Sequence, residues 1–531
     1  MSIMSGQDSR LQIGLADTWR VPTRTRQRLP YTMESFKGTP NYKESDALVG
    51  ASATTSMAIM SYKADGGFTT YVTPELMKVL IFAALGYEAA PVGPVNDQYA
   101  HKFTPVPSGI CSNLPSMTVE VDRLLEKALY LNYKMTDWKL SGKAEDYITF
   151  ECSGPAFKEV LQNVLAKFVA SGYNAGAPIT VTAPAGVVVV DDEFNGRVAR
   201  AQLECGEVLY FTVTDCVAST GVFTLTPIWG TAAQNIDGWT VEVVDWEMAP
   251  NVPLSNQEYF RFAHAYLYMD DAEAPFTVLG TGGGVDGDTA VDVPVGLTGD
   301  ASHPIQVAAV DPSGVSRVYK YTGAAITRTG TILSFADAPG TTADHIQAIF
   351  NAAGKLHASW TVSEDTYDEV TDFTVGGDNA ISDGRFGMNG SLFQSEVNPT
   401  KRSFSLDLTS RFTTRLSQLR KKRMMAGVPA SLRIEMITKL ADGPLGEQIT
   451  SHDSNEHPYR VVIDIKKAYY VDGIPNISGP DEPTVSPKFT AAETPGVHKA
   501  IEVTVYDDKS TKVSGSGGDW APAVREDGYI G

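Results

Sequence analysis

Residues 50–86 constrain the fold more than any other stretch, because they combine strand patterns with a helix whose two ends are marked. Thr73 can cap this helix, Pro74 suits its first position, and Gly86 suits the residue that follows its last turn. Two short strands, joined by a turn at residues 65–67, are predicted before the helix. The apolar stripe of the helix consists of Leu76, Val79, Leu80, Ala83 and Ala84. The stretch therefore predicts a small α+β unit, a sheet covered on one side by one helix.

The segments around this unit follow one another in a characteristic order. They run from YTMESFKGTPNYKESDALVGA through the Thr-Pro-Glu-Leu helix and Ala-Leu-Gly to HKFTP, LPSMTVEV, LNYKMTDWKLSG and DYITFECSG. In this combination the chain resembles the tail tube proteins, or major tail proteins, of long-tailed bacteriophages. The resemblance covers roughly the first third of the chain and resumes over residues 372–508, whereas the middle does not match.

The resemblance implies a structural virion protein. In that family each module contributes a curved antiparallel sheet, six subunits close a ring around a continuous β-barrel, and the rings stack into a tube through which the genome is delivered into the host. The implied partners are copies of the same chain, the tape measure, tail terminator and distal tail proteins, a sheath where the tail has one, and phage DNA in transit without sequence-specific binding. The implied location is the virion tail, assembled in the bacterial cytoplasm, with no enzymatic activity, cofactor, metal or membrane.

The strand patterns predict a mainly β chain: a discontinuous antiparallel β-sandwich or barrel-forming sheet with flanking helices, the α+β tube module, plus two inserted β-rich domains of Ig-like type. A chain of 531 residues exceeds one core, so about two to four domains are expected. The predicted segments are an N-terminal arm (1–30), the N-terminal portion of the tube module (31–172), insert 1 (176–250), a tube-module strand (254–275), insert 2 (280–365), the C-terminal portion of the tube module (369–510) and a flexible C-terminal tail (511–531).

Composition and periodicity also support local predictions. Residues 1–30 are basic with scattered apolar side chains, so they form either a disordered tail or an arm that docks on a neighbour. Residues 31–49 are polar and rich in turn formers, which predicts a long extended loop. The apolar spacing within residues 157–170 predicts a helix, and a second short helix is expected over residues 342–350. Residues 258–269 alternate and predict a strand.

The charge balance limits the classes of partner. The chain has 63 acidic and 43 basic side chains, a formal net charge of −20. Binding that wraps nucleic acid requires clustered Lys and Arg, so this composition argues against it. An acidic wall along which DNA slides without sticking is compatible with it. No apolar run approaches the roughly 18 residues of a membrane span, and residues 1–19 lack a signal-peptide core.

One basic segment stands out from the acidic background. Residues 410–425 predict an amphipathic helix with Phe412, Leu416 and Leu419 on one side. Its cations either face acidic surfaces of a neighbouring subunit, which the net charge favours, or contact nucleic acid. The predicted assembly contacts are Arg411, Arg415, Arg420, Lys421, Lys422 and Arg423 from this helix, and Tyr31, Phe36 and Tyr42 from the 31–49 segment.

No motif predicts catalysis or a cofactor. His452, Asp453, Glu456 and His457 lie close together, but in a polar loop rather than on a helix that would align two histidines, so a solvated loop is favoured over a metal site. Asp286, Asp288 and Asp292 lack the full ligand series of a calcium loop. The four cysteines, Cys111, Cys152, Cys205 and Cys216, are expected to be buried free thiols, with a Cys205–Cys216 pair as the alternative.

Two other functional classes compete with the tube. A multi-domain adhesin or carbohydrate-binding tail protein would show the same β-sandwich modules, but it should trimerise and bind glycans without forming tubes. A glycan-degrading tail enzyme would need a cleft with paired carboxylates, and no such pair stands out in the sequence. The predicted function is therefore structural.

Overall fold

The computed structural model is mainly β and confirms the predicted fold class. It describes residues 9–16, 20, 23–44, 57–95, 98–106, 114–124, 126–174, 178–188, 190–203, 208–228, 234–250, 252, 254, 257–270, 277–282, 288–292, 306–310, 316–320, 326–329, 332–336, 346–350, 370–382, 391–393, 398–399, 401–412, 424–425, 427–438, 448–449, 457–475, 483–507 and 510–513.

The first third of the chain contains a run of strands and one helix, α1 (Pro74–Leu85). The strands are β1 (Arg10–Ala16), β2 (Gln27–Arg28), β3 (Tyr31–Glu34), β4 (Lys37–Glu44), β5 (Met57–Tyr71), β6 (Gly86–Glu88), β7 (Val92–Val95), β8 (Gln98–Pro105), β9 (Ser116–Asp122), β10 (Lys127–Tyr133), β11 (Asp137–Lys143), β12 (Thr149–Ala156) and β13 (Lys158–Leu161).

The middle of the chain is built from shorter strands. They are β14 (Val164–Val169), β15 (Ser171–Asn174), β16 (Ile179–Thr182), β17 (Val198–Gln202), β18 (Val208–Val217), β19 (Val222–Pro227), β20 (Thr240–Val244), β21 (Ala265–Asp270), β22 (Thr277–Gly282), β23 (Asp288–Asp292), β24 (Gln306–Val310), β25 (Ser316–Lys320), β26 (Ile326–Thr329), β27 (Ile332–Ala336) and β28 (Ile346–Phe350). A 3-10 helix, Phe262–His264, precedes β21.

Most strands of the last third of the chain belong to the same sheet as β5, β11 and β12. Its strands are β29 (Val370–Asp378), β30 (Ile381–Ser382), β31 (Asn398–Pro399), β32 (Ser403–Arg411), β33 (Ala430–Ile437), β34 (Gln448–Ile449), β35 (His457–Pro458), β36 (Arg460–Asp472), β37 (Thr484–Val485), β38 (Lys488–Ala491) and β39 (Glu502–Asp507).

The main sheet joins strands from both ends of the chain. Its order is β3-β5-β12-β11-β29-β32-β38-β36-β39-β8-β6, with β4 added to β5, β7 to β8, β37 to β32, β33 to β36, and β21 to β33. Its paired strands are antiparallel, and the fold includes a half-barrel. The long strand β36 lets the sheet turn, because its first half pairs with β39 and its second half with β38.

Strict alternation gives this sheet one apolar face. A continuous buried row crosses six strands and consists of Thr70, Phe150, Leu140, Val375, Leu406 and Phe489. Helix α1 packs on β39, β8 and β6, within the same core. Every residue of α1 except Glu75 is buried, so the helix lies inside the core rather than on one side of the sheet.

The helix ends are as predicted. The Thr73 hydroxyl accepts a hydrogen bond from the Leu76 amide, Pro74 is the first helical residue, and Gly86 closes the helix with φ +90°. Of the predicted flanking helices, α1 is found in the portion of the chain that the structure describes, and the 3-10 helix lies where the sequence predicts a strand. Within those same residues, no helix has the length and apolar character needed to cross a membrane.

The described residues of the N-terminal segment, 9–16, 20 and 23–30, do not form a free arm, so for them that expectation is wrong. Strand β1 lies inside a five-stranded sheet of order β13-β10-β9-β1-β2 and pairs with β9 along its whole length. Leu11 and Ile13 are fully buried, and Arg10 forms an ion pair of 2.9 Å with Asp122. The basic residue therefore serves an internal contact.

The first insert starts earlier than residue 176. Residues 157–170 form β13 and β14 instead of the predicted helix, and β14 belongs to a seven-stranded sheet of order β14-β20-β17-β18-β19-β16-β15. The two edge strands of this sheet, β14 and β15, follow each other directly in sequence, and the chain bends between them at Ala170. This bent segment pairs with β20 on one side and β16 on the other, so the insert closes as a small barrel around its own core.

The barrel enters and leaves the main fold at one point, which makes its removal testable. The Asn163 amide donates to Asp245 Oδ1 at 2.9 Å, and the Asp245 amide donates to the Asn163 carbonyl at 3.2 Å. We expect a variant in which two glycines replace residues 164–244 to fold, with a cooperative thermal transition. A deletion of residues 176–250 should not fold, because it removes Trp246, which is fully buried against Leu129 and Leu131. Equal behaviour of the two deletions would contradict these boundaries.

Four further predictions are corrected. The 31–49 loop is instead β3 and β4 over residues 31–44, both paired with β5. The turn at residues 65–67 does not exist, because β5 runs straight through it as a 15-residue strand. In residues 258–269 the strand begins only at Ala265, and residues 346–350 of the expected second helix form β28. Residues 342–345 lie outside the described residues.

Candidate assembly interface

The hairpin of β4 and β5 extends beyond the sheet that carries it. Strand β12 pairs with β5 only from Ala64 to Tyr71, whereas β4 continues along β5 as far as the pair Glu44 and Met57. We call residues 41–44 and 57–60 the arm. All eight residues of the arm are exposed, so this end of the hairpin lies outside the core.

The arm carries apolar side chains where a monomer would not need them. Met57 is 58% exposed, Met60 52%, Ile59 42% and Tyr42 53%. Scattered exposed apolar residues are common, but four within the eight residues of one projecting hairpin are a concentration that suits an interaction site. The free outer edge of such a hairpin can also pair with another strand.

The base of the hairpin is anchored firmly. Phe36 is 3% exposed, and its ring lies 5.0 Å from that of Tyr130 and 5.2 Å from that of Tyr133. The Arg123 guanidinium donates to both carboxylate oxygens of Glu34 at 2.9 and 3.1 Å, and this pairing raises the pKa of Arg123. An anchored base holds the arm in a fixed direction.

A second contact joins the hairpin to β13. The Tyr62 hydroxyl donates to Glu159 Oε2 at 2.6 Å, and the Tyr130 hydroxyl donates to Glu159 Oε1 at 2.5 Å. Burial, and then the Glu159 carboxylate, raise the pKa of both tyrosines. Both therefore stay protonated and donate over the whole ordinary pH range.

The two glycines of the predicted turn permit this anchoring. A methyl group on Gly66 would lie 2.4 Å from Cα of Phe36, and Gly66 has φ +152°. A methyl group on Gly67 would lie 1.9 Å from the carbonyl oxygen of Cys152. The glycines let β5 pass close to both neighbours without bending.

Over strands β5, β12, β11, β29, β32 and β38, the face of the main sheet opposite the core carries polar side chains. We call this the polar face; its residues are half-buried or exposed. It comprises Thr69, Asp137, Lys139, Ser141, Thr149, Glu151, Ser153, Thr374, Asp378, Ser403, Ser405, Asp407, Lys488 and Thr490. Both charge signs occur on it, with acidic side chains in excess.

One like-charge pair illustrates this excess. Asp137 and Asp378 are directly opposite each other on β11 and β29. Partial burial, and then the neighbouring Asp378 charge, raise the pKa of Asp137 above its ordinary value. The pair makes this region of the polar face electrostatically unfavourable for an anion such as a phosphate.

At its C-terminal end, Tyr71, strand β5 reaches a cluster of three tyrosines. The Tyr71 ring centroid lies 5.3 Å from that of Tyr147 and 5.5 Å from that of Tyr259, and the last two are 5.9 Å apart. Tyr147 is 43% exposed and the other two are half-buried. We call these residues the tyrosine cluster.

The main sheet does not close on itself among the described strands. Its path ends at β3 and β4 on one side and at β6 and β7 on the other. Each end presents an outer strand edge that can pair with another chain.

The predicted contact residues are divided among different environments. Tyr42 lies on the arm. Tyr31 is half-buried in β3, with its hydroxyl hydrogen-bonded to Ser9 Oγ, and Phe36 is core, so its assignment as a surface contact is wrong. Arg411 is exposed at the end of β32, where it pairs with Thr484. Ser410 and Arg411 are therefore strand rather than the start of a helix, while Arg415, Arg420, Lys421, Lys422 and Arg423 lie outside the described residues.

Met57, Ile59 and Met60 are not among the contacts predicted from the sequence. Their run of apolar residues favours a buried strand, since an apolar strand more often faces a core. One feature of the sequence does point to the exposure of these residues. The preceding segment, residues 37–44, is polar, so it can pair with their strand but has no apolar face to cover it.

Only part of each group considered for chemistry lies within the described residues. His457 lies in β35 and Asp288 and Asp292 in β23, while His452, Asp453, Glu456 and Asp286 lie outside the described residues. No metal-holding group of three or more acidic, His or Cys residues occurs in the described ranges. Cys152 and Cys216 are buried free thiols, and burial raises the pKa of Cys152 to about 12. Cys111 and Cys205 lie outside the described residues.

Comparison with known proteins gives no match, either to protein-family models or among curated proteins.

Proposed function

We propose that the chain is a structural subunit that polymerises into stacked rings and forms a phage tail tube, the conduit for genome delivery. The observation that carries the proposal is the arm: four exposed apolar side chains on a hairpin with a fixed base. The two open ends of the main sheet support it, because ring closure by copies of the chain would pair edges that are otherwise open. Six copies per ring is the number that the resemblance implies.

The polar face is then the wall of the channel. Its described residues form neither an apolar surface nor a cationic patch, so a passing DNA molecule meets no hydrophobic barrier and no site that retains phosphates. The first insert, closed around its own core, projects from the end of β13 and needs no place in the wall.

The proposal is tested by electron microscopy of the purified protein. We expect hollow tubes with a regular axial repeat. A triple substitution of the arm, Met57→Ser, Ile59→Ser and Met60→Ser, should raise the protein concentration needed for tubes about tenfold or more, because burial of one such side chain contributes about 1.5–3 kcal/mol. The thermal stability of the subunit should not fall, since the arm is exposed.

A matched control removes apolar surface elsewhere. Val169 and Val190 of the first insert are 56% and 62% exposed. The variant Val169→Ser/Val190→Ser should form tubes as the unaltered protein does. Compact trimers that bind glycans and never form tubes would overturn the proposal in favour of an adhesin.

A further inference from the structure

The tyrosine cluster is built as a rigid surface. Three segments are tied together by backbone hydrogen bonds: Phe260 N donates to Val72 O at 2.9 Å, Ile148 N to Phe260 O at 2.8 Å, and Val72 N to Ile148 O at 3.2 Å. Phe260 is fully buried beside the cluster. The three rings therefore keep their mutual positions without a partner.

Such a surface has the chemistry of an interface hot spot. Tyrosines held in a fixed arrangement present a large apolar area and lose little conformational freedom on binding. Methionine side chains suit this surface, because they are flexible and their sulfur atoms make favourable contacts with aromatic rings. The arm carries two exposed methionines, Met57 and Met60.

The arm and the tyrosine cluster lie at opposite ends of the same strand. Strand β5 has 15 residues, from Met57 in the arm to Tyr71 in the cluster. At about 3.3 Å per residue the two surfaces are roughly 45 Å apart. They cannot meet within one chain, so only a second copy can bring them together.

We propose that the arm of one copy docks on the tyrosine cluster of the next copy. This contact is heterologous, because it joins two different surfaces, and such contacts can repeat in one direction without closing. It rests on the proposed function, in which the arm is an assembly contact, and it adds the receiving surface. In this arrangement the length of β5 sets the distance between successive copies along the tube axis.

The first test removes the receiving surface. We expect the variant Tyr147→Ser/Tyr259→Ser to lose tubes at the concentration at which the unaltered protein forms them, with assembly shifted by about tenfold or more. Tyr71 is left in place because it pairs with Thr149 in the sheet. The Val169→Ser/Val190→Ser variant is again the control, and a thermal transition checks that each variant is folded.

The second test detects the contact directly. Ile59→Cys protein and Tyr147→Cys protein are mixed and treated with a short bismaleimide. We expect a cross-linked dimer in the mixture and not in either sample alone, which also controls for the native thiols. Tubes from the Tyr147→Ser/Tyr259→Ser variant together with no cross-link would overturn this inference and leave the tube function standing. Absence of tubes from the unaltered protein would overturn the proposed function itself.

Discussion

Removal of residues 1–16 is expected to give a chain that does not fold. Strand β1 lies between β2 and β9, and each of its two fully buried apolar side chains, Leu11 and Ile13, contributes about 1.5–3 kcal/mol through burial. The deletion also removes the ion pair of Arg10 with Asp122 and exposes the edge of β9. These losses together approach the whole stability of an ordinary domain, about 5–15 kcal/mol.

A milder variant makes this result quantitative. Ile13→Ala should cost about 2–5 kcal/mol in the free energy of unfolding measured with denaturant, because it leaves a cavity in a fully packed site. Val497→Ala, at a residue that is 77% exposed, should cost less than about 0.5 kcal/mol. A truncated chain with unaltered stability would show instead that the segment is a dispensable arm.

The N-terminal segment shows where sequence reasoning stops. Its apolar residues, Leu11, Ile13 and Leu15, alternate as in a half-buried strand, yet the basic residues around them favour an arm. The partner strand β9 begins about a hundred residues later in the chain, and that pairing is not visible from local pattern. Local rules are sufficient for α1, whose caps are set by its own residues.

Periodicity alone gives the wrong structure for residues 157–170. Val160, Val164 and Phe168 fit a helical face, but Phe168 and Ala166 lie in the barrel core on a strand. A short apolar run is compatible with the periodicity of a helix and with that of a strand. Here pairing with the neighbouring strands of the barrel selects the strand. Residues 162–163, between the two strands, are where the barrel joins the main fold, a point that depends on contacts with Asp245 and Trp246.

The interface is predictable only in part. Tyr42 is a predicted contact because it lies in a segment rich in polar and turn-forming residues, and the structure places it on the arm. Phe36, five residues after Tyr31 in the same segment, is core because Gly66 lets its backbone approach β5 closely. Residues 57–60 are exposed because β12 pairs with β5 only from Ala64 onwards. No local sequence pattern shows where that pairing ends.

Replacement of Asp507 by Asn is expected to cost about 3–5 kcal/mol in the free energy of unfolding, because it breaks a buried ionic network. Asp507 pairs with Lys78 Nζ of α1, and its Oδ1 lies 3.0 Å from Nε2 of His101. His101 Nδ1 lies 2.7 Å from Glu88 Oε1, and Glu88 Oε2 accepts the Val513 amide at 2.8 Å. Lys512 Nζ donates to the Glu88 carbonyl at 3.0 Å.

The buried network contains two basic side chains, Lys78 and His101, and two acidic ones, Glu88 and Asp507. Each ring nitrogen of His101 faces a carboxylate oxygen, and the imidazolium form, which donates from both nitrogens, matches this arrangement. Two cations, Lys78 and His101, then face two anions, Glu88 and Asp507, at sites that are at most 3% exposed. Asn at 507 removes one of these negative charges from a buried site.

The pH dependence of stability separates this effect from simple loss of packing. Burial alone would raise the pKa of Asp507, but the hydrogen bond from His101 and the Lys78 charge outweigh it and hold that pKa below its ordinary value. The stabilisation is therefore complete above the unfolded-state pKa, about 3.9, and is lost as the pH falls through the native value. The difference in melting temperature between the unaltered protein and Asp507→Asn should shrink below about pH 4.

An exposed ion pair provides the control for this measurement. Glu493→Gln, which removes a partner of Lys499 at the surface, should show a cost below about 1 kcal/mol. A constant difference in melting temperature between the unaltered protein and Asp507→Asn from about pH 7 to about pH 3 would mean that the Asp507 carboxylate acts through its shape and not through its charge.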